Sequence, residues 1–420
     1  MTLNAKRRRA HHKLAALPGV RAVRRPVVPG GDDRFDVYYV RTGPRSEHPL
    51  VIIPGGPGLA SVQPYRGLRR RAAAKGIDVI MVEHRGVGLS RHTDAGTDLP
   101  PEALSIDQVV DDVAAVLDDA GVATADVYGS SYGTYIAAGV GVRHPNRVRA
   151  MVLDSPLLSA DDIDAVRTAI RDLLVDGANP HTAQLAPKIR RLVDDGVIAG
   201  SAGHTATMVY GYGGAPLLDR QADLLLRRRT LVWWALSRLG AMSLRKAPYR
   251  NEVDLVSRIA FRELNYAGEP DGLPLDPAEA MHELASHEPS FESEPYDLVA
   301  EMPRFGWPTV VISGGRDLTT PPAVAERVAA LIPGALLLSL PTAGHSILDT
   351  RERAALAVIE AIHDDSPGTV AALPARAADL DALPGWGVLR VLVSVVAVAT
   401  AVESALPDAV PRVVARVTAS

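Results

Sequence analysis

Cysteine is absent from this sequence of 420 residues, and aromatic residues are scarce, at 5%. The lack of cysteine excludes disulfide bonds, thiolate metal sites and a cysteine nucleophile, and is compatible with any compartment. Acidic and basic residues nearly balance, at 49 and 45, so the net charge of −4 provides no global field for nucleic acid. With 47% hydrophobic and 22% charged residues, the composition is ordinary for a globular enzyme with small-molecule partners.

An apolar run near the C-terminus, residues 391–402, carries no charge and is bounded by Arg390 and Glu403. A run of this length is too short to span a bilayer comfortably, so we expect no integral membrane span. Its default interpretation is a helix packed on the body of the protein. A helix at a partner subunit or at a membrane interface is an alternative, and the β-branched content also leaves a strand open.

Ser131 lies at the centre of a GxSxG pattern, GSSYG, directly after a strand-like run at residues 122–128 and directly before a helix-like one. A sharp turn from strand to helix strains the backbone, and Gly129 and Gly133 remove side chains that would clash there. We therefore predict Ser131 as a nucleophile held at the carboxyl end of a strand. Its neighbour Ser130 lies one residue off the turn and is expected to be a packing residue.

A serine nucleophile needs a histidine base and a carboxylate that orients it. The apolar run at residues 309–312 leads into SGGRD, which ends at Asp317. A second apolar run, 335–340, leads into PTAGHS and places His345 on the following loop. The chain order of serine, aspartate and histidine, each after a strand, is the one expected of the α/β hydrolase fold. Asp154 ends another strand-like run and is the alternative acid, but Asp317 is preferred.

A glycine-rich loop, GGPG at residues 55–58, follows the strand-like run at 50–53. Glycines let backbone N–H groups approach a ligand closely, and the loop after the third strand of this fold supplies an oxyanion donor. We predict Gly55 or Gly56 for that N–H group. Tyr132 is predicted for the other, because the first residue of a helix has an unpaired N–H in the favourable field of the helix dipole.

Five motifs occur in order along the chain: GGPG at 55–58, HRGVGLS at 84–90, GSSYGT at 129–134, SGGRDLTTP at 313–321 and GHS at 344–346. Through these motifs the chain resembles the proline iminopeptidase and tripeptidyl aminopeptidase branch of the α/β hydrolases, over about 35–156 and 303–364. The resemblance implies an α/β fold, with a mostly parallel central sheet flanked by helices and an inserted, mainly helical cap. It also implies the catalytic roles given above for the matching residues, no cofactor, and release of amino acids or short peptides from a free amino terminus.

The sequence differs from that family before two of the motifs. Pro54, Glu83 and His84 stand where members usually carry histidine, aspartate and glutamine, which leaves open a different loop shape. A serine triad also does not distinguish amides from esters. A carboxylesterase or lactonase on small esters, and a noncatalytic ligand-binding protein on the same fold, are therefore alternatives to the aminopeptidase.

Residues of the expected cap are candidates for substrate contact. An aminopeptidase must bind an ammonium group, and Glu252, Asp254 and Glu263 are the candidate carboxylates. The alternative is that they are helix carboxylates paired with nearby arginines. Trp233 and Trp234 are predicted to line a substrate pocket, although apolar residues at helical spacing are more often lid core.

The domain organisation follows from where the alternation of strands and helices is interrupted. The segment 1–31 has no Asp or Glu and eight Lys and Arg residues, which indicates a flexible basic arm. No apolar stretch of a signal peptide follows it, and we predict a cytoplasmic protein. The strand at 36–40 is expected to begin the sheet. The remaining predicted segments are the first part of the core at 32–156, the helical cap at 157–302, the second part of the core at 303–366 and an Ala/Val/Pro-rich extension at 367–420.

Two other motifs are set aside. In MHELASH, at residues 281–287, the histidines are five residues apart rather than four and would not share a helix face, so no metal site is predicted. The glycine-rich GYGGAP at 211–216 and the GGPG loop lack the lysine and hydroxyl residue of a phosphate loop. We therefore predict no metal and no cofactor, with a small peptide or ester as substrate.

Overall fold

The computed structural model describes residues 5–243, 246–285, 287–364, 368–385 and 387–406. Within this part of the chain one sheet contains the strands β1 (Val20–Pro26), β2 (Arg34–Thr42), β3 (Leu50–Ile53), β4 (Val79–Val82), β5 (Ala125–Ser130), β6 (Val148–Asp154), β7 (Thr309–Gly314) and β8 (Leu336–Leu340). Their order across the sheet is β1-β2-β4-β3-β5-β6-β7-β8. The pairs β1–β2 and β2–β4 are antiparallel, and all others are parallel.

Helices cover the sheet and fill the long connection between β6 and β7. Before β6 lie α1 (Ala5–Ala15), α2 (Arg66–Ala74), α3 (Ile106–Asp119) and α4 (Tyr132–Arg143). Between β6 and β7 lie α5 (Asp162–Arg171), α6 (Ala186–Asp194), α7 (Ser201–Leu226), α8 (Leu231–Ser243), α9 (Val253–Leu264), α10 (Pro277–Ala285) and α11 (Leu298–Glu301). After β7 lie α12 (Pro322–Leu331), α13 (Ile347–Thr350), α14 (Glu352–His363), α15 (Ala377–Ala382) and α16 (Gly387–Ala405).

The central strands are buried on both faces, as their continuous apolar runs indicate. Alternate side chains point to opposite sides, so Val51 and Ile53 join one hydrophobic cluster, and Leu50 and Ile52 join another. Residues of α3, α4 and α12 complete the first cluster, and residues of α2 and α14 complete the second. The predicted mostly parallel sheet flanked by helices is therefore confirmed.

Residues 5–31 differ from the prediction of a flexible basic arm. Helix α1 packs beside the sheet, and β1 pairs with β2 over its whole length, so the sheet begins at Val20 rather than near residue 36. The basic side chains have acidic partners that are distant in sequence. Arg7 is buried against Glu252, with 2.6 Å between the charged atoms, and Arg25 lies 2.9 Å from Asp112. Counting charges within the segment could not reveal partners that the fold supplies from elsewhere.

The connection between β6 and β7, residues 155–308, is called the insertion here. The described residues of the insertion include helices α5 to α11. Apolar side chains of α5 to α8 build a third hydrophobic cluster, whereas those of α9 and α11 join the first. Helix α16 packs on the third cluster: Val396 belongs to it, and Gln221 of α7 donates to Thr400 at 2.6 Å. The run at 391–402 is thus helical and packs on the body of the protein. None of the helices described is long and apolar enough to cross a membrane.

Candidate active site

Ser131 occupies a strained turn between β5 and α4. Its backbone has φ of 52° and ψ of −124°, a conformation that non-glycine residues rarely adopt. Close packing explains the glycine that follows: a Cβ atom on Gly133 would lie 2.1 Å from the carbonyl oxygen of Ile53. The serine side chain therefore stands at the carboxyl end of the central strands, as the GxSxG pattern predicts.

The structure brings His345 and Asp317 to the same place. His345 lies on the loop between β8 and α13, and its Nε2 is 2.8 Å from the Oγ of Ser131. Its Nδ1 is 2.9 Å from Oδ2 of Asp317, which follows β7. The carboxylate accepts further hydrogen bonds from the backbone N–H groups of Thr319 and Thr320 and from the Thr320 hydroxyl, all at 2.9 Å. These donors fix the orientation of the carboxylate, which in turn orients the imidazole.

The charges of the pair affect each other's pKa. Burial disfavours the imidazolium form of His345, but the charge and hydrogen bond of Asp317 outweigh burial and raise its pKa. Burial likewise opposes ionisation of Asp317, yet the imidazolium and the hydrogen bonds from Thr319 and Thr320 lower its pKa. Such a chain can transfer a proton from the serine hydroxyl to the imidazole while the carboxylate stabilises the resulting charge.

The predicted oxyanion donors surround the same serine. A Cβ atom on Gly55 would lie 3.1 Å from the Cβ of Ser131, closer than most Cβ contacts, so glycine favours this approach. Gly56 lines the cavity into which Ser131 opens. Tyr132 is the first residue of α4, where the helix itself leaves the backbone N–H without a partner. The backbones of Gly55, Gly56 and Tyr132 thus lie close to Ser131, and their role as oxyanion donors stays a prediction.

Asp154, the alternative acid, has a different set of contacts. It is fully buried at the end of β6 and accepts the backbone N–H groups of Ile347 at 3.1 Å and Leu348 at 2.9 Å. The hydroxyl of Tyr128 donates to it at 2.9 Å. Burial raises the pKa of Asp154 to about 6. It therefore anchors the start of α13, directly after His345, rather than contacting the imidazole nitrogens.

A second buried network supports the same loop. The Oγ atoms of Ser130 and Ser346 are 2.6 Å apart, and Ser346 also donates to Asp349 at 2.9 Å. The other carboxylate oxygen of Asp349 accepts the hydroxyl of Tyr65 at 2.7 Å. Ser130 is thus buried and directed away from the cavity, and its hydroxyl links the serine turn to the histidine loop.

Glu83 and His84, where the chain departs from the family pattern, support the loops around the serine. Glu83 is buried and accepts backbone N–H groups from Ser61, Val62 and Leu89. The Nε2 of His84 lies 3.0 Å from the hydroxyl of Tyr132, the residue that directly follows Ser131. Burial lowers the pKa of His84 to about 4, so its imidazole is neutral at pH 7.

Ser131 and His345 open into a cavity of about 390 Å³ beneath the insertion. Its walls are mostly apolar side chains contributed by the insertion and by the loop after β7. These side chains are Leu157, Ile163, Val166, Ile170, Leu264, Leu275, Met281 and Leu318. Two carboxylates also line it. Asp276 is saturated by Arg167 and by backbone N–H groups, whereas burial raises the pKa of Asp162 to about 6.

The three cap carboxylates predicted to bind an ammonium group lie outside this cavity lining. Glu252 is buried against Arg7 and accepts the backbone N–H of Gly88 at 2.7 Å. Asp254 pairs with arginine and lysine side chains, and Glu263 accepts a backbone N–H at the start of α3 and pairs with the adjacent arginine. The prediction is wrong for this cavity. The arginine-paired alternative was closer, although the arginine partners of Glu252 and Asp254 come from distant segments and Glu252 is not exposed to solvent.

The two tryptophans predicted for the pocket also lie outside its lining. Trp233 is buried in the hydrophobic cluster of the insertion, as the lid-core alternative expected. Trp234, the next residue on α8, is exposed, and the guanidinium of Arg238 stacks on its ring at 4.5 Å. Adjacent helix positions point in different directions, so the pattern alone could not assign both to one pocket.

Several supporting residues were missed by sequence analysis. Thr320 holds Asp317, and its signal was the LTTP sequence directly after the acid. Asp154 was recognised only as an alternative acid, whereas in the structure it is buried and accepts hydrogen bonds from the backbone at the start of α13. The apolar wall residues carry no motif. Among the described residues, no cluster of three or more histidine, aspartate or glutamate side chains is arranged to hold a metal ion.

Comparisons with known proteins give a family match, a relative of similar sequence and solved structures of similar fold. A family model described as the alpha/beta hydrolase fold matches residues 48–179, which include Ser131 but not Asp317 or His345. Rhodomycin D methylesterase DauP of Streptomyces sp. (strain C5) is 28% identical over 315 residues, covering 75% of this chain and 90% of that enzyme. Rv0554 of Mycobacterium tuberculosis matches structurally with 18% identity and a TM-score of 0.49, covering 82% of this chain and 98% of that one. The proline iminopeptidase of Mycobacterium smegmatis also matches structurally, with 16% identity and a TM-score of 0.46. The match covers 86% of this chain and 99% of that one.

Proposed function

Because this chain is an α/β hydrolase, we propose that it is a serine hydrolase that acts through an acyl-enzyme, with Ser131 as the nucleophile. The observation that supports this most strongly is the hydrogen-bonded chain from Ser131 Oγ through His345 to Asp317, with distances of 2.8 and 2.9 Å. Those distances lie within the reach that proton transfer between a nucleophile and its base requires.

In the proposed acylation step, Ser131 Oγ attacks the substrate carbonyl carbon while Nε2 of His345 accepts the hydroxyl proton. The carbonyl π bond becomes an oxyanion, which the N–H groups of Tyr132 and of Gly55 or Gly56 stabilise. Collapse of this intermediate breaks the bond to the leaving group, which takes the proton from His345. Asp317 keeps the imidazole oriented throughout and stabilises its positive charge.

Deacylation repeats the same sequence with water. His345 accepts a proton from a water molecule whose oxygen attacks the acyl carbon, and the acid product leaves as Ser131 regains its proton. The insertion contributes most of the cavity walls beside the serine, which places the acyl group in a partly enclosed and mostly apolar environment. Electrostatic contacts from the backbone N–H groups are stronger in such an environment than in bulk water.

The substrate class that we propose is a carboxylic ester with a largely apolar body. The cavity walls next to Ser131 are built from aliphatic side chains, which gain from contact with apolar substrate surface. The similarity to an enzyme named a methylesterase supports the same class. Lactones are esters and belong to the same chemistry.

An aminopeptidase is the second candidate, and Asp162 is the residue that favours it. This carboxylate lines the cavity, and its Oδ2 accepts the backbone N–H of Leu158 at 2.7 Å. Burial raises its pKa to about 6. A substrate ammonium group beside it would favour the charged form and so be bound. The motif resemblance to proline iminopeptidases favours this activity as well.

One set of substrates distinguishes the two candidates. Wild-type and Ser131→Ala protein are assayed on aryl esters of increasing acyl length and on amino-acid amides with free and with acetylated amino termini. We expect ester turnover that increases with acyl length, is abolished in the variant, and is accompanied by fluorophosphonate labelling of Ser131. Cleavage of free-amine amides alone, lost in Asp162→Asn, would establish the aminopeptidase. Full turnover by Ser131→Ala would refute the serine mechanism itself.

A further inference from the structure

Helix α16 exposes an apolar face that no other described part of the chain covers. Val391, Val395, Val398 and Val402, here called the valine face, keep 55% to 63% of their surface exposed. They are spaced by four, three and four residues and therefore share one side of the helix. Single exposed apolar residues are common, but an aligned set of large ones marks a surface that contacts something else.

The opposite side of α16 already has its partners. Val396 packs in the insertion cluster, and Thr400 is buried against Gln221. Glu403 is also buried, and its carboxylate accepts the backbone N–H groups of Leu231 and Val232 at 2.9 Å. Glu403 is the one acidic residue between positions 387 and 405. Because it points inward, the valine face of α16 carries no negative charge.

Basic residues lie at both ends of the valine face. Arg390 is exposed directly before Val391. At the other end, Arg229 donates to the backbone carbonyl of Glu403 at 2.6 Å, which places its exposed neighbours Arg227 and Arg228 there. Helix α8, which packs beside α16, exposes further residues of the type found at membrane interfaces. These are Trp234, Arg238 and Leu239.

We infer that the valine face docks on an anionic lipid surface, with α16 lying in the plane of the membrane. Apolar side chains flanked by arginines and a tryptophan match the headgroup boundary of such a surface. A second copy of this chain fits less well. Both ends of the face are basic, so pairing it with itself would bring arginines together in either orientation, whereas anionic headgroups can neutralise all of them.

Sedimentation with lipid vesicles tests this inference on the full chain and without substrate, so the result does not depend on the proposed chemistry. We expect the protein to sediment with phosphatidylcholine vesicles that contain phosphatidylglycerol, more weakly with pure phosphatidylcholine, and less at high salt. Val395→Glu with Val398→Glu should lower the partition coefficient about ten-fold or more, because two charges would enter the interface. Arg390→Gln should weaken binding to the anionic vesicles and leave binding to neutral ones unchanged.

The matched control replaces two other exposed apolar residues, Leu273→Glu with Phe291→Glu, which lie outside α8 and α16 and should leave vesicle binding intact. Should the double glutamate variant fold poorly, judged by circular dichroism, Val395→Ser with Val398→Ser provides the milder test. The inference is overturned if the wild type ignores both vesicles, or if the glutamate variant binds as well as the wild type. A dimer that the same substitutions dissociate, without vesicle binding, would assign the face to a second copy instead.

Discussion

The loops at the strand ends and the insertion that covers them were not equally readable from the sequence. In the loops, residues as distant as Ser131 and His345 meet within hydrogen-bonding distance, as predicted. In the insertion, Glu252 and Trp233 were expected at the substrate and are instead buried in structural contacts. Parallel strands end at one edge of the sheet, so a loop residue directly after a strand has a known location. Helix packing in an insertion has no such common edge.

The largest expected effect tests the role of Ser131, which lies in a loop at a strand end. Ser131→Ala should lower kcat by about 10⁶-fold, because the variant lacks the nucleophile that forms the acyl-enzyme. Ser130→Ala, the adjacent change, removes a hydroxyl that contacts Ser346 rather than the substrate cavity. We expect less than about a ten-fold loss there. Steady-state kinetics on one aryl ester, with both variants checked by circular dichroism, measures the contrast.

Equal losses in the two serine variants would contradict the assignment of different roles to adjacent hydroxyls. They would mean that the network from Ser130 to Ser346 holds the histidine loop so tightly that its loss displaces His345. Labelling by a fluorophosphonate separates these cases, since Ser130→Ala should still be labelled and Ser131→Ala should not.

The next effect concerns the two aspartates at neighbouring strand ends. Asp317→Asn should lower kcat/KM by about 10³-fold, because an amide no longer favours the imidazole tautomer that accepts the serine proton. Asp154→Asn keeps one acceptor for the backbone N–H groups of Ile347 and Leu348 and should lower it about ten-fold at most. A larger loss in Asp154→Asn than in Asp317→Asn would make Asp154 the acid.

The pH dependence of kcat/KM tests independently whether Asp317 is the partner of His345. His345 must be neutral to accept the proton, so kcat/KM should rise with pH through the pKa of His345, which Asp317 holds above the ordinary 6.5. Removing the Asp317 charge stabilises the neutral imidazole, so the acid limb of Asp317→Asn should move to lower pH. An unmoved acid limb would show that another group controls it.

Most of the sheet and the three candidate catalytic residues could be predicted because each follows an apolar run bounded by glycine or proline. The packing of α1 and β1 could not be predicted, because the partners of Arg7 and Arg25 are Glu252 and Asp112, far along the chain. The same limit applies to the cavity walls. Aliphatic residues at helical spacing look alike whether they face a neighbouring helix or an empty pocket, and only the packing decides between them.

An effect of intermediate size, on stability, tests whether the carboxylates of the insertion have structural roles. Glu252→Ala removes a buried carboxylate that pairs with Arg7 and accepts the backbone N–H of Gly88, so we expect a loss of about 3 kcal/mol in unfolding free energy. Asp254→Ala, two positions along the chain, breaks a more exposed pair with Arg91 and should lose about 1 kcal/mol or less. Thermal and urea unfolding measure both. Unchanged stability in Glu252→Ala with a raised KM for amines would restore its predicted role in substrate binding.

The smallest expected effect tests whether the cavity walls set substrate preference. Ile163→Trp, on the cavity side of α5, should fill part of the 390 Å³ and lower kcat/KM for long-chain esters about ten-fold relative to the acetate ester. Thr168→Trp adds the same side chain at an exposed position of α5 outside the lining and should leave the ratio unchanged. The ratio of kcat/KM for the two esters cancels general losses of folded protein, so a selective loss of the long ester can come only from the space beside Ser131. If both tryptophans changed the ratio alike, acyl length would be sensed outside the cavity, and the insertion would act as a cover rather than as a specificity pocket.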